Sequence, residues 1–110
     1  MREYHHIGIP TDRKMEEESY NAELKFYSSG FDASPYGIEW MRFEPDSPLP
    51  ELVKNVAHIA FEVDDLEPEL RGKETLIEPN SPSPGVEVAF IIDSGAPVEF
   101  LCFIDRKNQG

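Results

Sequence analysis

Four side chains of the types that hold divalent metal ions recur in matched surroundings: His6, Glu39, His58 and Glu99. His6-Ile7-Gly8-Ile9 parallels His58-Ile59-Ala60-Phe61. Ile38-Glu39-Trp40-Met41-Arg42-Phe43 parallels Val98-Glu99-Phe100-Leu101-Cys102-Phe103, with the glutamate and the last phenylalanine identical. In each copy the histidine segment comes first and the acidic segment last, which is the signature of a duplicated unit. Two neutral imidazoles and two carboxylates form a nitrogen-and-oxygen donor set suited to Zn, Ni, Mn, Fe or Co. The lack of a thiolate argues against copper(I) or an iron–sulfur centre. Two inward carboxylates in an apolar cavity would repel one another and be costly to desolvate, and a dication compensates both.

These residues need strands to position them. Short apolar runs separated by Pro, Gly, Ser and Asp predict strands at 4–9, 24–28, 37–44, 56–63, 75–77, 86–92 and 97–104. Alternation along a strand puts Glu39 on one face with Met41 and Phe43, and Glu99 with Leu101 and Phe103; Gly8 and Ala60 share the faces of His6 and His58. The opposite face of the second histidine strand, Ile59, Phe61 and Val63, is expected to pack on a helix that Asp64 or Asp65 caps. Leu66 and Leu70 lie on one side of that helix and Gly72 ends it. Residues 13–18 read as a solvated loop or weak helix, with the loop favoured. Residues 45–50, with three prolines, read as a linker leading into a short stretch at 51–55. Residues 78–85, with three more, read as a rigid loop or a rim over a site.

The remaining composition narrows the functional classes. A chain of 110 residues holds one domain, 1–110, whose halves span about 1–50 and 55–105. Ten basic against 22 acidic residues give a net charge of -12, which opposes nucleic acid and anionic membrane surfaces alike. No apolar run approaches the roughly 20 residues of a spanning helix, and the N-terminal residues lack the layout of a signal peptide, so a cytoplasmic protein is expected. The single cysteine, Cys102, reads as a buried, inert thiol. Exposed strand edges in so small a chain invite a homodimer.

The paired histidine and glutamate strands, with the segment from His58 to Leu66 and Gly95-Ala-Pro-Val-Glu-Phe100 following it, resemble the vicinal oxygen chelate superfamily. That superfamily includes glyoxalase I, bleomycin-resistance proteins, extradiol dioxygenases and methylmalonyl-CoA epimerase. The resemblance covers nearly the whole chain and is strongest from Val56 to Ile104. It implies an α+β fold of two paired βαβββ modules, the first truncated by a missing helix and one strand, forming a curved, mostly antiparallel sheet around a cleft. It also implies that His6 and His58 are first-strand metal ligands and Glu99 a last-strand ligand. In epimerase-like members the acidic ligand lies four residues before a proline, which here leads from Pro45 to Met41. The internal repeat instead places it at Glu39, on the same strand face.

What the resemblance implies chemically is a divalent-metal-dependent lyase or isomerase of glyoxalase type. It would act on a small oxygenated metabolite through a metal-stabilised enediolate, with Glu99, or else Glu39, shuttling the proton. Met41, Phe43, Leu101 and Phe103 are candidates for the substrate pocket, although such side chains are more often plain core. A ferrous extradiol-type dioxygenase becomes the alternative if Glu39 faces away, since two histidines and one carboxylate then remain. A bleomycin-resistance-like binding protein would need none of the four polar side chains. His5 and Glu87 read as ordinary surface or edge residues, and Arg42 as a partner in a surface ion pair.

Overall fold

The computed structural model describes residues 2–104; Met1 and positions 105–110, which the expected domain and its two halves include in part, lie outside the described residues. Within them the chain runs β1 (Arg2–Pro10), β2 (Ser19–Asn21), β3 (Phe26–Ser29), β4 (Ile38–Phe43), α1 (Glu51–Asn55), β5 (His58–Val63), α2 (Leu66–Leu70), β6 (Glu74–Ser83), β7 (Val86–Asp93) and β8 (Ala96–Phe103). All eight strands join one sheet in the order β2-β3-β4-β1-β5-β8-β7-β6, curled into a half-barrel. The order is palindromic about the central antiparallel pair β1·β5. On either side of that pair, β1·β4 and β5·β8 are the parallel pairings, and the remaining neighbours are antiparallel.

The register gives the internal repeat its physical form. Gly8 pairs with Glu39 across β1·β4, and Ala60 with Glu99 across β5·β8; Ile9 pairs with Trp40 as Phe61 does with Phe100. At the centre, His6 lies opposite Ala60 and Gly8 opposite His58, symmetric about the Ile7·Ile59 pair. A small residue therefore faces each histidine, leaving room for its ring on the concave side.

Three expectations are corrected. The first half lacks no strand: β2 and β3 form a short hairpin where a single run at 24–28 was expected, so the missing helix alone truncates this half. Residues 78–85 are a rim over the site rather than a loop: β6 continues to Ser83, and Glu78, Pro79, Asn80, Pro82 and Ser83 line the cavity described below. Among the described residues this strand is at the sheet edge, where one side has no hydrogen-bonding partner, and register shifts after Thr75, Ile77 and Asn80 absorb the prolines. Finally, the protein is mostly sheet rather than α+β, because α1 and α2 are only five residues each.

Alternation sorts the core into two layers. Ala89, Ile91, Phe100 and Cys102 pack with Val63 and Leu66 beneath α2, and Phe61 and Leu70 close the cluster. The thiol of Cys102 is buried and donates to the Asp64 carbonyl (3.3 Å). Asp65 precedes α2 without a side-chain cap, and so short a helix leaves Ile59 39% exposed. Ala60, Val86, Val88 and Leu101 form the second cluster, on the concave side. In the first half, residues 11–18 form neither helix nor strand. Glu18 instead reaches Arg42, whose guanidinium grips both carboxylate oxygens (2.8 and 2.9 Å) and stacks on Tyr27. None of the helices among the described residues is long and apolar enough to cross a membrane.

Candidate metal centre

The curl of the sheet encloses a cavity of about 730 Å³, with His6, Glu39, His58 and Glu99 on its wall. Glu99 projects from β8 between the two imidazoles: Oε1 accepts from His58 Nε2 at 3.1 Å and lies 3.3 Å from His6 Nε2. His6, His58 and Glu99 are all buried, and each offers one donor atom within 4.8 Å of the others. Glu39 enters from the symmetric position on β4. Its Oε1 is 3.8 Å from His6 Nε2, and its side chain keeps 24% exposure, so it stands beside the triad rather than within it.

The donors fit a dication. Bonds of about 2.0–2.2 Å from one ion to nitrogen and oxygen set neighbouring donors roughly 3.0–3.5 Å apart, and the two histidine-to-Glu99 separations fall in that range. The site's own groups also shift one another's protonation. Burial raises the Glu99 carboxyl, but hydrogen bonds from His58 and His6 outweigh it and hold the group at about 2. Burial lowers His6, yet the hydrogen bond to Glu99 and the negative charges of Glu99 and Glu39 leave it above its ordinary value. Glu39 moves the other way: desolvation, then the Glu99 charge, outweigh the pull of His6 and raise it. The two glutamates thus differ in character, one a fixed anion and the other a carboxyl ready to take a proton.

The His58 ring is packed on all sides. It is 2% exposed, meets Phe90 edge to face with centroids 5.1 Å apart, and lies over Gly8. A Cβ at Gly8 would overlap Cε1 and come within 2.8 Å of both ring nitrogens. Only glycine allows this approach. The Nδ1 of His58 is buried without a hydrogen-bond partner among the described residues.

Of the expected pocket residues, Met41, Leu101 and Phe103 line the cavity. Phe43 does not: it packs on Phe26, centroids 5.7 Å apart, and Phe26 takes the place on the wall. Sequence reasoning missed Phe31, Phe90 and the α1 residue Val53, which also line it. It also missed His5. A bulge between Tyr4 and His6 brings this residue onto the concave wall, where strict alternation would have turned it away. The doubled histidine was the available signal. Nothing in its residue types announces a bulge.

No protein-family model and no curated protein matches this chain. Its structure is similar to the crystal structure of a hypothetical protein from Bacillus halodurans C-125, with a TM-score of 0.68 and 19% identity over 92% of this chain and 94% of that one. The likeness is one of fold.

Proposed function

We propose that this protein is a divalent-metal-dependent lyase or isomerase of the glyoxalase type, in the vicinal oxygen chelate superfamily, acting on a small oxygenated substrate. The observation that carries the reading is the convergence of His6, His58 and Glu99 on one buried point of a cavity wall, with Glu39 alongside. His6, His58 and Glu99 would hold the ion, which when bound supplies Lewis acidity to neighbouring substrate oxygens. Glu39 would move the proton. Its raised carboxyl makes it the stronger base once ionised, and its partial exposure lets it reach substrate. Glu99, pinned by two rings, is a ligand and a poor base. Glu39 also lines a second, acidic groove with Glu16, Glu17 and Asp32, which offers its proton a path to water.

The cavity wall favours one substrate class. Apolar side chains such as Phe31, Met41, Phe90 and Phe103 dominate it, and among the described residues neither lysine nor arginine lines it. Polyanionic carriers such as coenzyme A have nothing there to meet, so the substrate is small, apolar in body and not strongly anionic. A second reading is ferrous extradiol-type oxygenation, favoured by the two-histidine, one-carboxylate triad. The inward position of Glu39 weighs toward the isomerase.

The test is elemental analysis of protein purified without added metal, beside His58→Ala and Glu99→Ala variants. Near-stoichiometric metal in the parent and its loss from both folded variants supports the reading; stoichiometric metal in both variants removes it. Screening 2-oxoaldehyde adducts, epimerisable acids and catechols, with oxygen uptake monitored, then separates the isomerase from the oxygenase.

A further inference from the structure

His5 is held more firmly than a surface histidine needs to be. The β1 bulge turns its ring into the cavity, where it stacks on Phe31 (centroids 5.1 Å apart, planes 14° apart) and lies tilted against Phe103 at 5.8 Å. Gly37, at a φ of +72°, packs closely against this bulge; a Cβ there would come within 2.9 Å of the His5 carbonyl oxygen. So placed, His5 Nδ1 is 2.8 Å from His6 Nδ1.

Two imidazole nitrogens at this distance share one proton, so one ring donates and the other accepts. His6 turns its Nε2 toward Glu99 and Glu39. For that nitrogen to offer a lone pair to a cation, the ring proton must sit on Nδ1, and there it meets the Nδ1 of His5. We propose that His5 is a positioning residue for the metal ligand His6, accepting the His6 Nδ1–H so that the ring keeps the tautomer and orientation in which Nε2 can ligate. Metal-bound histidines usually donate this proton to a carboxylate, a backbone carbonyl or water; here a second imidazole from the same strand accepts it. The duplication breaks at this position. His58 is preceded by Ala57, and among the described residues its Nδ1 has no hydrogen-bond partner, so the two histidines of the triad are inequivalent and His6 is the one that a neighbour orients.

This inference rests on the metal-binding reading above, and calorimetric titration with zinc(II) alone separates the two. His5→Phe keeps a flat ring between Phe31 and Phe103 but removes the acceptor, whereas His5→Gln restores an acceptor oxygen. The expected result is zinc binding weakened by about 10–100-fold in His5→Phe and largely recovered in His5→Gln, with unchanged far-ultraviolet dichroism. Zinc-loaded protein labelled with nitrogen-15 is expected to show a coupling across the hydrogen bond between the two Nδ1 atoms. Parental zinc affinity in His5→Phe, equal loss in both variants, or absence of the coupling overturns the role of His5 and leaves the triad standing. A parent protein that binds no zinc overturns both.

Discussion

Glu99 and His6 compensate one another by proton in the metal-free protein, and this has a definite pH signature. His6 is raised above 6.5 in the folded chain, so its contribution to stability is complete below that pH and is lost as pH rises through the folded value. Glu99 behaves oppositely: its contribution is complete above about 4.5 and is lost as pH falls toward about 2. The metal-free protein should therefore lose thermal stability on the alkaline side of pH 6.5. Zinc-loaded protein should not, since the cation takes the place of the His6 proton, and zinc affinity should fall as the pH is lowered. Parallel thermal melts with zinc and with chelator from pH 6 to 9 check this, and coincident slopes would remove the proton-for-metal exchange. Glu39 is the residue to change for the chemistry. Glu39→Gln should retain zinc while lowering kcat by about 10²–10⁴-fold; retained turnover would move the proton transfer to another group.

At the scale of elements, the central pair β1·β5 builds the site by where it lacks side chains. Gly8 gives the His58 ring its place, whereas Ala60, opposite His6, carries a methyl. Gly8→Ala should therefore cost about 1–3 kcal/mol by overpacking and displace His58 from Glu99. Zinc affinity should drop by at least about tenfold, measured by titration with a fluorescent chelator as competitor; parental affinity would mean that the ring has slack the packing does not show. Much of this element was legible beforehand, because matching His-Ile-Gly-Ile with His-Ile-Ala-Phe already implied equivalent strands with small residues beside the histidines. What was not legible came from context. Prolines at 79 and 82 read as a loop, yet an edge strand tolerates them. The bulge at His5 packs against Gly37, some thirty residues away, a contact that nothing in the local sequence of β1 announces. Phe43 shares the strand face of Met41, but Phe26 from the neighbouring strand stands on the wall instead.

At the scale of the molecule, the triad lies where the two halves meet: His6 comes from the first, His58 and Glu99 from the second, and Glu39 returns from the first. A cation bound there is held by both halves at once, across the antiparallel β1·β5 pair that joins them. Neither half alone presents three donors. Metal binding should thus stabilise the whole sheet cooperatively. By linkage, free zinc at about 100 times the dissociation constant adds about 2.7 kcal/mol, which for a chain of this size corresponds to a rise of roughly 10–20 °C in Tm. Differential scanning calorimetry should show a single transition that moves upward with zinc and returns with chelator. The His58→Ala transition should not move. Two separate transitions, with only one responding to zinc, would instead assign the cation to one half and break the link between duplication and site.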